Sequence, residues 1–394
     1  MNPVKLPDSI YQNQEVVIAN RALNIDTLLR LQINKLISDG RGLARYDGMA
    51  VFVKDAVPGE TVEARVIAVR SGYCEAQTMT VVESSQHRVQ PPCRHFGECG
   101  GCTLQHISAE FQRECKHDIL LDALQRIGKI PQAELPARVE TIFGSATGYR
   151  NRMRCSAGDT AHWGMRAARS NEIIPLEECV IAHPRIQAMI AAGKLPDSIL
   201  PGQEFSVYSN DQGIWFDAET AEARVANEVF RFPADSFFQS NQAVLEKAIP
   251  QLCGDLPTGA VADLYGGVGL LARFCAAKGH RCVSVDTSDV PRPRQPGIDF
   301  RIDSVERWIR SAESAGSFGT VFVDPPRTGL SKPVRNYLSQ SNAEQVRYLS
   351  CNPDTFARDA GQLIRSGRRL HTLMVLDFYP HTSHMEVFGV FAQR

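Results

Sequence analysis

The sequence predicts a multidomain chain: a small β-barrel, a central cysteine-rich α+β region and a C-terminal α/β domain with a doubly wound parallel sheet. Three observations predict it. Short apolar runs broken by glycine turns fill residues 31–83, cysteines crowd together at Cys93, Cys99 and Cys102, and from Ser236 onward apolar runs alternate with helical patterns. At 394 residues the chain is longer than one hydrophobic core supports. The expected boundaries are an extension over 1–24, the barrel over 25–87, the central region over 88–235 and the α/β domain over 236–394.

Composition narrows the class. The chain is 43% hydrophobic and 22% charged, with 43 Lys and Arg against 44 Asp and Glu. A near-neutral balance gives no bulk attraction to nucleic acid, so RNA binding would need a local patch. The opening "MNPVKLPDSIYQNQ" has no signal-peptide core, and no apolar run reaches membrane-spanning length. A cytoplasmic protein with no membrane partner is expected, and a monomer. Eleven cysteines in a reducing compartment argue for metal ligands, one possible nucleophile and core residues rather than disulfides.

The barrel rests on "GRGLARYDGMAVFVKDAVPGETVEARVIAV", where Asp47-Gly48 and Pro58-Gly59 mark turns. Val62, Ala64, Val66 and Ala68 share one face of a strand. In the central region, "CRHFGECGGC" spaces Cys93, Cys99 and Cys102 as C-x5-C-x2-C, and two glycines let the backbone curl there. Cys179, in the polar "LEECVIAHP", is the best fourth ligand. Four thiolates suit zinc or a [4Fe–4S] cluster, and spacing does not choose. A helix follows the cysteine loop, with Phe111, Cys115, Ile119, Leu120, Leu124 and Ile127 on one stripe and Gly128 ending it. Cys115 reads as core. Between Tyr149 and Arg169, Arg150, Arg152, Arg154, Arg166 and Arg169 face a single acid, Asp159.

In the α/β domain, "DLYGGVG" (263–269) is a glycine-rich strand-to-helix turn. Asp286 ends the next apolar run, 23 residues after Asp263, where an acid can bind both hydroxyls of a ribose. Asp303 and Asp324 end later runs. Acids at successive strand ends with no phosphate-binding lysine fit S-adenosylmethionine better than NAD or ATP. "DPPR" puts Arg327 where an aromatic would signal methylation of an exocyclic amine, which disfavours an amine target. "YLSCNP" ends an apolar run in Cys351, and Asn352-Pro353 forces a turn. Glu386 begins the last apolar run in "HMEVF". A thiol and a carboxylate beside a methyl donor suggest attack of Cys351 on C6 of a flipped-out pyrimidine, methylation at C5 and removal of the C5 proton by a base.

Together "GRGLARYDG", "CRHFGECGGC", "YRNRMR", "SFFQSNQ", "DLYGGVG", "DPPRTG", "SCNP" and "HMEVF" resemble the RNA uracil-5-methyltransferases. The resemblance runs from about Leu31 to the C-terminus and is strongest to the branch that methylates 23S rRNA and carries a TRAM barrel and a [4Fe–4S] cluster. It implies an OB-like TRAM barrel, a central iron-sulfur domain and a Rossmann-like class I methyltransferase domain, with the helix over 108–128 packed on the last. It implies cluster ligands at Cys93, Cys99, Cys102 and Cys179, and S-adenosylmethionine contacts at Gln239, Tyr265, Asp286, Asp303 and Asp324. Cys351 would be the nucleophile, Glu386 the catalytic base, and 23S rRNA the partner. Methylation of tRNA, or RNA binding without catalysis, are the other readings. The chain departs from the family between Asp286 and Asp303: Pro291, Pro293 and Pro296 replace an expected helix. Gly266 also stands where many relatives have cysteine, and Leu270 where some have a polar residue. Weaker or altered cofactor binding is the expectation.

Overall fold

The computed structural model describes residues 23–158, 162–168, 170–193 and 195–393. The expected extension over 1–24 lies almost wholly outside them, as do Asp159 and Arg169. The chain divides into two compact units, one of residues up to Ile37 with Arg41–Gln86, the other of Ser38–Gly40 with the chain from His87 onward.

The first unit is a six-stranded sheet. Strands β1 (Leu28–Gln32), β2 (Lys35–Leu36), β3 (Gly42–Tyr46), β4 (Met49–Lys54), β5 (Thr61–Arg70) and β6 (Tyr73–Glu83) pair in the order β1-β5-β6-β4-β3-β2. Alternation along β5 buries Val62, Ala64 and Val66 beside Leu29, Leu31, Val51 and Val53, whereas Ala68 is only half-buried.

The second unit opens with the cysteine loop, helix α1 (Ala109–Arg126) and strand β7 (Glu140–Phe143). The buried face of α1 holds Cys115, Ile119, Leu120 and Leu124, with Phe111 and Ile127 half-buried at its ends. It also buries Gln112 and Lys116, which the apolar stripe does not announce. Gly128 is not the left-handed residue that ends the helix; Lys129 is, at φ 57°. Gly128 is small for another reason: a Cβ there would lie 2.7 Å from the carbonyl oxygen of Ala357. The chain then builds a five-stranded antiparallel sheet from β8 (Arg152–Ala157), β9 (Trp163–Arg166) and β10 (Ile173–Pro175), helix α2 (Pro184–Ala191), and β11 (Glu204–Ser209) with β12 (Ile214–Phe216). A hairpin of β13 (Thr220–Val225) and β14 (Glu228–Pro233) follows.

From α3 (Gln242–Leu252) the chain alternates: β15 (Ala260–Leu264), α4 (Leu270–Ala277), β16 (Cys282–Asp286), β17 (Ile298–Ile302), α5 (Val305–Trp308), β18 (Phe318–Val323), α6 (Lys332–Gln340), β19 (Gln345–Ser350), α7 (Pro353–Arg365), β20 (Arg368–Asp377) and β21 (Glu386–Gln393). The sheet order is β17-β16-β15-β18-β19-β21-β20-β7. β18 and β19 are buried on both faces apart from their first residues, as strands covered by helices must be. The expected all-parallel sheet is corrected at one strand. β21 enters between β19 and β20 and runs antiparallel to both. The short connection over 378–385 allows this, because a parallel return needs a longer crossover. Residues 287–297 contain no helix, in keeping with their prolines. The turn expected at Asn352-Pro353 is a helix start: Asn352 is the cap and Pro353 the first residue of α7.

Candidate active site

Sheet register brings the candidate groups to one edge. β18 ends at Val323, opposite Tyr348 of β19, so Asp324 and Cys351 leave the sheet at neighbouring strand ends. Ser350 of β19 faces Val387 of antiparallel β21, which sets Glu386 beside the exit of Cys351. The inserted strand is therefore what turns a carboxylate toward the thiol. Asn352 caps α7 by accepting from the N–H groups of Asp354 (3.0 Å) and Thr355 (3.4 Å), and its amide donates to the carbonyl of Arg327 (3.1 Å). Cys351 is thus held half-buried just ahead of a helix N-terminus.

The electrostatics are those of crowded acids. Burial, then Glu386 and Asp324, push the Cys351 thiol up to about 11, against the opposing pull of Arg327. Glu386 is 4% exposed. Burial, with Asp324 adding and Arg327 opposing, holds its carboxyl well above the usual range. Burial also raises Asp324 to about 7, with Asp263 and Asp286 contributing. Tyr379 and His384 stand within 6.1 Å of each other, centroid to centroid. Tyr379 is pushed up to about 12 by burial and by Glu386, while His384 is held down to about 4 by burial, Arg327 and Arg150. Neither residue was picked out in the sequence, although both lie in "FYPHTSHMEVF" directly before Glu386.

The glycine turn sits at the end of β15. Tyr265 takes φ 64°, Gly267 φ 55° and Gly269 φ 78°. A Cβ on Gly266 would fall 2.3 Å from the Ser284 hydroxyl, whereas the space around Gly267 is open. Asp286 accepts from the N–H groups of Gly267 (3.0 Å) and Ser288 (2.7 Å), which ties the end of β16 to the turn. Asp303 donates its N–H to the carbonyl of Asp286 (3.1 Å), and its side chain accepts from Ser304 N–H (2.8 Å). Gln239 is 6% exposed, and its side-chain oxygen is buried without a partner. Asp263 is structural: its carboxylate accepts from Ala272 N–H (3.2 Å) at the start of α4, and burial lifts it to about 6. In place of the missing helix, Arg292 donates to the carbonyls of Gly267 (2.7 Å) and Ser288 (2.8 Å) and stacks 5.7 Å from the Phe300 centroid. The orphaned oxygen of Gln239, the open turn and the acids beside it suit a cationic, ribose-bearing ligand.

Cys93, Cys99, Cys102 and Cys179 line one cavity with Phe96, Met153, Met165 and Ile181. Burial raises all four thiols, Cys102 to about 12 and Cys179 to about 11. Backbone N–H groups oppose that: His95, Val180 and Phe96 at Cys93, Gly101 at Cys99, Ala182 and Ile181 at Cys179. Gly100 is explained by packing, since a Cβ there would meet the carbonyl of Arg166 at 3.0 Å. Among the described residues no three His, Cys, Asp or Glu converge closely enough to hold a single metal ion. The thiols surround a space instead. The walls of that space are apolar, and backbone N–H groups stand beside three of the four thiols. The arginine patch divides. Arg154 and Arg166 pair with Glu204 (2.6 and 2.5 Å), while Arg150 lines the thiol cavity and also acts on Tyr379 and His384. No described helix is long and apolar enough to cross a membrane.

Comparison with known proteins agrees with this architecture. A family model described as tRNA (Uracil-5-)-methyltransferase matches residues 312–394, and a TRAM domain model matches 27–79. The 23S rRNA (uracil(1939)-C(5))-methyltransferase RlmD of Methylococcus capsulatus is 31% identical, over 91% of this chain and 96% of that protein. An uncharacterized RNA methyltransferase of Aquifex aeolicus is 30% identical, over 92% and 97%. The crystal structure of the Pyrococcus abyssi tRNA (uracil-54, C5)-methyltransferase, in complex with S-adenosyl-L-homocysteine, superimposes with a TM-score of 0.71. It is 22% identical and covers 92% of this chain and 100% of that one. The chain is a methyltransferase enzyme and belongs to the RNA uracil-5-methyltransferase family, with a TRAM domain at its N-terminal side.

Proposed function

We propose that this chain methylates C5 of a specific uridine in 23S rRNA, through a temporary bond between Cys351 and C6 of the uracil. The observation that carries the reading is the meeting of a thiol, a buried carboxyl group and an open glycine turn on one sheet edge. The 23S rRNA assignment rests on relatives such as the Methylococcus capsulatus protein. The tRNA alternative draws on the name of the matching family model.

When bound, S-adenosylmethionine supplies a methyl group made electrophilic by a positively charged sulfur. Gln239, Tyr265, Asp286, Asp303 and Asp324 would hold it. The Cys351 thiolate, drawn toward ionisation by Arg327 against burial and two carboxyl groups, adds to C6. Electron density moves to C5, which takes the methyl group. Glu386 then removes the C5 proton, the C5–C6 double bond re-forms, and the C6–S bond breaks. A carboxyl group with a raised pKa is a stronger base than an exposed one, and burial gives Glu386 that character. Cys93, Cys99, Cys102 and Cys179 would hold a [4Fe–4S] cluster that braces the central region, 88–235. The TRAM domain, 25–87, together with Arg150 and Arg152, would contact the RNA, and residues 236–394 would carry the transfer.

The test uses total RNA from cells lacking the protein, purified protein and labelled S-adenosylmethionine, with Cys351→Ser alongside. Label in 5-methyluridine of large rRNA, absent with the variant, is the expected result. Label confined to tRNA would move the substrate. Cofactor binding without transfer to any RNA would leave an RNA-binding factor. A brown protein that bleaches on iron removal would support the cluster over colourless zinc.

A further inference from the structure

The eight residues between Asp377 and Glu386 carry Tyr379 and His384 into the site and decide where β21 begins. They are short, have no secondary structure of their own, and contain a strained residue, His381 at φ 65°. Such a segment keeps its course only if something outside it holds it.

Gln112, on α1, is 1% exposed. Its side-chain oxygen accepts from His381 N–H at 2.8 Å. Its amide nitrogen donates to the carbonyls of Leu104 (3.0 Å) and Ile107 (2.7 Å), and lies 3.1 Å from His381 Nδ1. The same turn reaches the segment directly. The N–H groups of Thr103 (3.0 Å) and Leu104 (2.9 Å) donate to the His381 carbonyl, and the Thr103 hydroxyl accepts from Ser383 N–H at 3.1 Å. Two outer ties complete the frame. Lys116 Nζ, also on α1, pairs with Asp377 at 2.7 Å and donates to the Tyr379 carbonyl at 3.0 Å, and the Tyr149 hydroxyl donates to the Pro380 carbonyl at 2.8 Å. Burial and Lys116 keep His381 below its ordinary pKa.

We propose that Gln112 is a positioning residue for the reaction: it joins the turn after Cys102 to the 378–385 segment and thereby fixes where Glu386 and Tyr379 stand relative to Cys351. The inference rests on the reading of Glu386 as the base. It also gives α1 and the cysteine loop a shared task, because the turn that grips His381 begins one residue after a thiol of the cavity.

The experiment compares the full-length protein with Gln112→Ala, Gln112→Glu and Thr103→Val. Hydrogen exchange over 378–385 is measured together with steady-state methylation. Gln112→Ala is expected to lose protection at His381 and Ser383 and to drop kcat about a hundredfold, as a small misplacement of a reacting group does. KM for S-adenosylmethionine should stay within about twofold, because the clamp does not touch the glycine turn. Gln112→Glu keeps the acceptor for His381 N–H and loses the donors, so it should fall between. Thr103→Val removes one acceptor without disturbing the helix, and should cost a few-fold in kcat with faster exchange at Ser383; it decides the matter if Gln112→Ala does not fold. Unchanged exchange over 378–385, or kcat and KM moving together with protection lost throughout the chain, would overturn the proposal. If the wild-type protein methylates no RNA, the exchange data still decide the clamp, and the failure belongs to the functional reading.

Discussion

Asp286 and Glu386, one in each half of the eight-stranded sheet, are held in opposite ways. In the parallel half, Asp286 ends β16 and takes two backbone N–H groups, from Gly267 and Ser288, while Asp263, one residue before the end of β15, takes that of Ala272 and is still lifted by burial. In the antiparallel half, Glu386 is buried against Asp324 and pushed upward, and it raises the neighbouring thiol in turn. Backbone donors fix a carboxylate in place and favour its charge, which suits a group that only binds. Burial beside like charge makes a carboxylate basic, which suits a group that must take a proton. The difference follows from strand direction. Parallel strands run out at this edge into turns whose N–H groups reach the acids, whereas β21 presents its own first residue.

The sharpest way to break the comparison is Glu386→Gln. It keeps the shape of the side chain and removes the base. Methylation should fall by about 10²–10⁴-fold, the usual contribution of a positioned base. Addition of Cys351 and methyl transfer do not need the base, so protein joined covalently to RNA should accumulate and survive denaturing electrophoresis. Unchanged turnover would remove Glu386 from the reaction. Cofactor affinity should be little altered, because Glu386 belongs to the other half.

Arg292→Ala probes the parallel half with a smaller effect. The guanidinium spans the carbonyls of Gly267 and Ser288, closing the space that the proline-rich segment leaves without a helix. Its loss should weaken S-adenosylmethionine binding about tenfold, equivalent to about 1.4 kcal/mol, with kcat at saturation unchanged. Calorimetry on the variant and on Arg292→Lys decides it; lysine lacks the second nitrogen with which the guanidinium spans the two carbonyls and should recover only part. Equal affinity in all three proteins would make the segment irrelevant to the cofactor.

Much of this was legible in the sequence because it is local. The glycine turn, the strand-end acids and "SCNP" are each contained in a few residues, and alternation of apolar runs with helices gave the class of sheet. What stayed hidden depends on pairs far apart in the chain. Nothing near Glu386 announces that its strand inserts antiparallel between β19 and β20, because strand direction is set by connection length and not by side-chain pattern. Gln112 and Lys116 look like breaks in an apolar stripe until His381 and Asp377 are seen to meet them. Arg154 and Arg166 look like a free basic patch until Glu204 is seen to pair with both. Arg292 sits in a segment whose prolines signal only the absence of a helix.

Asp324 lies at the seam between the halves, and its effect is the smallest. Its carboxyl is raised from an ordinary 3.8 to about 7, chiefly by burial. A group raised on folding contributes fully below its unfolded pKa, and that contribution is lost as pH rises through the folded value. The protein free of cofactor should therefore lose stability between about pH 4 and pH 7 as Asp324 ionises. Asp324→Asn cannot ionise. Its Tm should exceed that of the wild type by about 2–6 °C at pH 8, and the two should draw together toward pH 4. Scanning calorimetry across that range reads the difference directly. An offset equal at every pH would assign it to packing instead. A gain confined to neutral and alkaline pH, in a variant that no longer methylates, would mean that the seam keeps a destabilising acid for the sake of the cationic methyl donor.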